Sequence, residues 1–461
     1  MIDGTEHAEV IVLGMGPGGE DAANRLAAAG LDVVGIDAEL VGGECPYWGC
    51  VPSKMMIRAS DLLAEARRVT TMAGAAMVSP DWTPVARRIR EEATDDWHDT
   101  AAVERFEGKG GRLVRGWGRL EGPGRVAVAD RVIEASRAVV IGIGTRAWIP
   151  PVPGLSDTPY WTNRQAIETE AIPSSLAVLG GGAIGVELAQ VFARFGTEVT
   201  VLEAGPSLVG PEEPEAGQLL AEVFESEGIA VLTDATIESV HHDRAQFAVT
   251  LSGDAPSPLM VERLLVATRR RPDLRRLNVA SIGLDDSARA LPVDDHMRVE
   301  GAPRVWALGD VTGKGAFTHM SMYQADIVVN DILGRQVVPA DYRAVPRVTF
   351  TDPEIGSVGL SEREARHQGL EVRVGTAEVP VSTRGWIHKA GNLGFIKLIE
   401  DTERGVLIGA TSVGPWGGEV LGLLTLAVYA EVPTVALRYM IYAYPTFHRA
   451  IEAALKDLLG Q

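Results

Sequence analysis

Short apolar runs closed by glycine set the rhythm of this chain. EVIVLG, Glu9 to Gly14, is an unbroken apolar stretch of the kind buried on both faces of a parallel sheet. A glycine turn, GMGPGG, follows it, then an alanine-rich stretch that predicts a helix ending near Gly30. A second run, DVVGID, ends at Asp37. The order is strand, glycine turn, helix, strand, acid. It returns from Ser175 to Ala204 in SLAVLGGGAIGVELAQVFARFGTEVTVLEA, where Glu203 closes the second strand. Residues 80–110 break the pattern and read as an amphipathic helix with a solvated charged face. Near the C-terminus, Pro445 and Thr446 predict a helix start, with Phe447, Ile451, Leu455 and Leu458 as its buried stripe.

The repeated units carry their chemistry in glycine. Gly14, Gly16 and Gly19 form the first turn; Gly180, Gly182 and Gly185 form the second. Glycines here let the backbone approach a pyrophosphate seated on a helix N-terminus, where the exposed N–H groups carry roughly +0.5 charge. Asp37 and Glu203 are placed to accept from a ribose hydroxyl. Two such units imply two dinucleotides, each in its own doubly wound domain. A carboxylate at 203 repels a 2′-phosphate, and no Arg or Lys lies between Glu203 and Glu222 to bind one. NADH is therefore expected at the second turn in preference to NADPH.

Composition narrows the class. With 461 residues the chain exceeds a single core, so about three domains are expected. A net charge of −19 argues against nucleic acid or an anionic membrane as partner. The opening MIDGTEHAEV has no basic segment, and no apolar run is long enough to span a bilayer, so the chain reads as cytoplasmic. Its 2 cysteines, Cys45 and Cys50, both lie in GGECPYWGCVPSK. Two thiols cannot build a disulfide scaffold in so long a chain, and cytosolic disulfides tend to be catalytic. No CxxC or HxxxH motif accompanies them, so no metal site is expected.

Taken together, the two glycine turns and the C-x4-C segment resemble the pyridine nucleotide–disulfide oxidoreductases of the dihydrolipoamide dehydrogenase, glutathione reductase and mercuric reductase group. The resemblance covers nearly the whole chain. It extends to VVIGIGTRAWIPPVPG (139–154), VWALGDVTG (305–313) and PRVTFTDPEIGSVGLSEREA (346–365). It implies an α/β fold of two Rossmann-like dinucleotide-binding domains plus a C-terminal α+β dimerisation domain. The FAD domain would span 1–155 and 283–340, the NAD(P)H domain 156–282, and the interface domain 341–461. It also implies a homodimer whose active site is completed by the partner subunit. FAD takes the first glycine turn and NADH the second. Cys45 and Cys50 then become a redox-active disulfide, with Cys50 toward the flavin and Cys45 released as the thiolate that meets a small disulfide substrate. The spacing suits a bridge across the first turn of a helix, where Pro52 is tolerated and a thiol pKa is lowered. Lys54, one turn after Cys50, lies near the flavin and pairs with Glu187. Asp310 holds the ribityl chain, His319 lies near flavin and disulfide, and Gly43 and Gly144 belong to the cofactor-binding set.

The chain departs from this family pattern at several positions. The family ends in His-Pro-Thr-x-x-Glu, whose His is the acid–base and whose Glu orients it. Here the stretch is YPTFHRAIE, so Tyr444 and Arg449 stand at those positions. In one reading the dyad has moved to His448 and Glu452, at i and i+4 on one helix face. In the other, that pair is a solvated surface pair and Tyr444 faces the substrate. Arg269 replaces a glycine in ATRRRP, where it would crowd the nucleotide or contact its phosphates. Ala183 opens the nicotinamide pocket, and Trp48 either shapes the substrate mouth or packs inside. Two alternatives stay open: a reductase of a quinone, oxygen or metal-ion acceptor, and a redox-sensing flavoprotein. A mercuric reductase would need a further cysteine pair near the C-terminus, which ALKDLLGQ lacks.

Overall fold

The computed structural model of the protein describes residues 5–253 and 257–461. Residues 1–4 and 254–256, which the sequence reading assigns to its opening segment and its two nucleotide domains, lie outside them. Two compact units emerge. One comprises Met1–Pro52, Arg87–Trp148 and Arg269–Tyr342; the other comprises Ser53–Ala86, Ile149–Thr268 and Arg343–Gln461. Residues 53–86 and 149–155 thus group with the second unit and 269–282 with the first, where the sequence reading divides them otherwise.

In the first unit, strand β1 (Thr5–Leu13) is flanked in parallel by β2 (Val33–Asp37) and by Arg131–Ile141, in the registers Val10↔Val33 and Leu13↔Ile141. Arg112–Arg115 extends the sheet beyond β2, and Val305–Ala307 adds a parallel strand on Arg131–Ile141. Helix α1 (Pro17–Ala28) makes the crossover between β1 and β2. Val10, Ile11, Val12 and Leu13 are all buried, so the run needed apolar residues on both faces.

The second unit repeats this plan. Ser175–Leu179 lies between Glu198–Leu202 and Arg263–Val266, all parallel, with Ala230–Leu232 at one edge and helix Ala183–Arg194 as the crossover. The same unit holds a five-stranded antiparallel sheet built from residues 346–414, packed against helices Gly417–Tyr429 and Arg449–Leu458. Phe447, Ile451, Leu455 and Leu458 are buried there as the stripe predicted.

Two elements differ from expectation. Residues 80–110 do not form one helix. Helix Thr83–Arg88 runs into a π-helical turn, Ile89–Ala93; Asp95, Asp96 and Trp97 then take left-handed φ of 48°, 53° and 56° before helix Thr100–Glu107. Thr94 drives the break: its hydroxyl donates to the carbonyls of Ile89 and Arg90, competing with the helix ladder. The C-terminal helix starts at Arg449, not at Pro445. The Thr446 hydroxyl is turned to donate to the Ala443 carbonyl and closes a turn instead of capping a helix.

Candidate functional site

The two glycine turns are built alike. A Cβ on Gly14, at φ +90°, would lie 2.5 Å from the carbonyl oxygen of Gly142, and one on Gly19 would collide with the carbonyl of Gly14. A Cβ on Gly180, at φ +107°, would lie 2.6 Å from the Ala267 carbonyl oxygen, and one on Gly185 would collide with the Gly180 carbonyl. The outer glycines are therefore demanded by the chain's own packing. The middle ones are not: a Cβ on Gly16 or Gly182 would meet nothing within 4 Å. Each sits at the N-cap of its helix, beside exposed N–H groups. The residues present thus fit a pyrophosphate at both turns.

The acids brace these turns. Asp37 accepts from the Met15 N–H (2.6 Å) and the Glu39 N–H (2.8 Å). Glu203 accepts from the Gly181 N–H and the Gly205 N–H, both at 2.6 Å. The offsets are the same in both units. Burial pushes the Asp37 carboxyl above its ordinary value despite those two N–H donors. This bracing role was not read from the sequence, where the acids were assigned only to ribose.

The cysteines stand at a break between helices. Cys45 lies in α2 (Glu44–Tyr47), and Cys50 opens α3 (Cys50–Arg68). The pair therefore spans the Trp48–Gly49 junction, a correction to the expectation of one helical turn. A Cβ on Gly49 would press to 3.0 Å from the Glu44 carbonyl oxygen, which accounts for glycine at the junction. Gly43, at φ +66°, brings this segment onto the first glycine turn; its Cβ would lie 2.8 Å from Gly16 Cα. A hydrogen bond to Cys50, with burial, pushes the Cys45 thiol up, while Thr318 pulls it the other way. The Cys50 Sγ lies 3.4 Å from the Thr318 hydroxyl, a partner the sequence did not flag. Trp48 packs inside, only 8% exposed.

Lys54 follows on α3, and its Nζ donates to Glu187 Oε2 at 2.8 Å. Glu187 is buried on helix Ala183–Arg194, and its other oxygen accepts from the Phe350 N–H at 2.8 Å. The Lys54 ammonium also lies 4.6 Å from the centre of the Phe350 ring. Ala183 is exposed at the start of that helix, beside Ile184.

In the first unit, Asp310 accepts from the Thr145 hydroxyl at 2.6 Å, and Arg270 donates to both oxygens of Thr145. Gly144, at φ +61°, precedes that threonine and again faces open space. Arg269 is exposed on strand Arg269–Arg271, in register with Trp148; it is Arg270 that reaches the Asp310 network. His319 is exposed, its ring stacked on Phe317 at 5.1 Å.

The C-terminal residues do not come together as a dyad. Glu452 pairs with Arg449 (3.2 Å), Lys456 (3.2 Å) and Arg438 (3.4 Å). Among the described residues it makes no hydrogen bond to His448, which sits at the N-cap ahead of the helix. Three cations occupy this one carboxylate. Tyr444 is 65% exposed, with the Arg449 guanidinium 5.4 Å from its ring centre.

Two dinucleotide folds with a paired-thiol segment against the first turn define a class of redox enzyme. Residues 8–325 match the family model described as pyridine nucleotide-disulphide oxidoreductase, and residues 345–455 match the dimerisation domain of the same family. The chain belongs to this family and is an FAD-dependent oxidoreductase that uses a pyridine nucleotide. It is 32% identical to a mercuric reductase of Acidithiobacillus ferrooxidans, over 98% of this chain and 82% of that one. It is 31% identical to a dihydrolipoyl dehydrogenase of Halobacterium salinarum, over 98% and 96%. Among solved structures, the Cu(II) complex of the HOCl-induced flavoprotein disulfide reductase RclA from Escherichia coli superposes with a TM-score of 0.85, at 25% identity, covering 98% and 99% of the two chains.

Proposed function

We propose that this protein is an FAD-dependent NADH:disulfide oxidoreductase in which Cys45 and Cys50 cycle between dithiol and disulfide. The carrying observation is the thiol pair itself: Cys45 and Cys50 flank the Trp48–Gly49 junction on a segment that Gly43 seats against the first glycine turn. Bound FAD supplies a two-electron relay between a nicotinamide and a thiol pair. The chain's residues do the rest. Lys54, held in place by Glu187, provides a fixed cation for a nearby negative charge. Asp310 and Gly144 serve the flavin, with Arg270 and Thr145 as supports. Glu203 selects NADH by excluding a 2′-phosphate. The functional division is FAD domain 1–155 and 283–340, nucleotide domain 156–282 and interface domain 341–461, the last forming a homodimer. Exposed Ile441, Trp386, Tyr439 and Tyr444 support that pairing surface.

The acceptor is proposed to be a small disulfide or dithiol of the dihydrolipoamide class. A second reading, a metal-ion acceptor, draws on Tyr444 in place of a base and on Glu452 being engaged by three cations. Such an acceptor needs no proton shuttle at the C-terminus.

The test is an anaerobic NADH titration of the flavoprotein, with NADPH in parallel and thiols counted by alkylation. Two alkylatable thiols and a long-wavelength thiolate–flavin band should appear with the first two electrons. Cys45→Ser should abolish turnover with disulfides. Bleaching without new thiols would remove the pair from the electron path.

A further inference from the structure

Three polar side chains lie buried along one face of helix Ala183–Arg194: Glu187, Gln190 and Arg194, each no more than 5% exposed. Their spacing of three and four residues puts them in one row. Along α3, Lys54, Asp61 and Arg68 recur every seven residues and also form one stripe. The rows meet with opposite charges. Lys54 pairs with Glu187 at 2.8 Å and Asp61 with Arg194 at 2.7 Å, while Arg68 reaches Asp352 at 2.7 Å.

The segment 350–352 is fastened to the same row at every step. The Phe350 N–H donates to Glu187, Asp352 exchanges two hydrogen bonds with the Gln190 amide, and Asp352 Oδ2 accepts from Arg194 at 2.8 Å. The Arg194 side chain is only 2% exposed, and its remaining donors form a fork on Glu227 at 3.0 and 2.6 Å. Arg67 closes the assembly by donating to the Arg194 carbonyl at 2.8 Å. Both walls of the Lys54 seat, Glu187 and Phe350, are therefore referenced to one guanidinium two helical turns away.

We propose that Arg194 is a positioning residue for Lys54: by gripping Asp61 on α3 and Asp352 beside Phe350, it sets the register at which the ammonium meets Glu187 and the Phe350 ring. A greasy contact between these helices would allow sliding. Discrete charge pairs do not, because each offset leaves the buried Glu187 or Arg194 without its partner. The fork also explains arginine over lysine: the planar guanidinium grips Glu227 through two N–H groups at once while others reach Asp61 and Asp352, a set of fixed directions that an ammonium lacks. The inference uses the proposed role of Lys54 but stands on its geometry.

The test is competitive amine labelling at pH 8 of the holoenzyme, with Lys54 read by mass spectrometry against Lys397, which sits in a separate buried network with Glu213 and Glu215. Arg194→Met should raise Lys54 labelling ~10-fold while Lys397 stays unchanged, and Arg194→Lys should fall between. Asp61→Asn, which removes the charge that Arg194 grips on α3, should raise Lys54 labelling in the same direction and serves if Arg194→Met does not fold. Unchanged Lys54 labelling in Asp61→Asn, or a parallel rise at Lys397, overturns the inference. The flavin midpoint potential on the same samples should become more negative. If Lys54 loosens and the potential holds, the positioning stands and the assigned role of Lys54 fails.

Discussion

The Lys54–Glu187 pair is the residue-scale feature most open to attack. Glu187 is nearly enclosed, so Lys54→Met strands a buried carboxylate and should cost ~3 kcal/mol in chemical denaturation, with Glu187→Gln partly restoring the double variant. An unaltered midpoint would show the pair to be solvated. Asp61 makes a second prediction. Burial, against the pull of Arg194 and helped by Asp352 and Glu354, raises its carboxyl from 3.8 to about 6. The folded chain holds this proton more tightly than the unfolded one. Asp61's contribution to stability therefore falls as pH rises from 3.8 to about 6 and is level above. The stability difference between wild type and Asp61→Asn should move against the wild type over roughly pH 4 to 6.5; a flat difference refutes the shift. The Lys54–Glu187 partnership was legible in the sequence because family spacing fixes it. The His448–Glu452 dyad that helical spacing suggests does not form, because that spacing says nothing of Arg438, which arrives from another helix to take the carboxylate.

At the scale of elements, the glycine turns separate packing from binding. Gly19→Ala should destabilise the fold, since its Cβ collides with backbone. Gly16→Ala should fold normally and lose flavin, since its Cβ enters only open space at a φ of −67° that alanine accepts. Melting temperature and flavin content per chain measure both; flavin retained by Gly16→Ala would place the pyrophosphate elsewhere. Strands and crossover helices were readable because parallel strands need unbroken apolar runs. The 80–110 region was not, because one threonine hydroxyl diverts the backbone after Ile89 and periodicity cannot register that. The C-terminal stripe was read correctly and its first turn was not. Leu455, wholly buried, should cost about 2–5 kcal/mol as Leu455→Ala, measured by urea denaturation.

For the whole molecule, the dimer proposal rests on apolar side chains left outside every core. Ile441 is 96% exposed and Trp386 70%, on the portion matched by the dimerisation family. Ile441→Asp should convert a dimer to a monomer in sedimentation; a wild-type monomer would sink the proposal. Among the described residues no helix is long and apolar enough to cross a membrane. The fold class was legible at this scale because the sequence repeats its fingerprint. The grouping of residues 53–86 with the second unit was not, since α3 passes from one unit to the other without a break in its pattern. The matched braces of Asp37 and Glu203 carry one more consequence. Each turn is cast by the chain's own packing, with the same outer glycines, the same carboxylate offsets and the same uncrowded middle glycine. A prosthetic group that stays for the life of the enzyme and a coenzyme that departs every cycle would thus rest on identical cradles. Residence time, then, must be written in what surrounds each cradle, and exchanging the two turns between units should leave that hierarchy of retention unchanged.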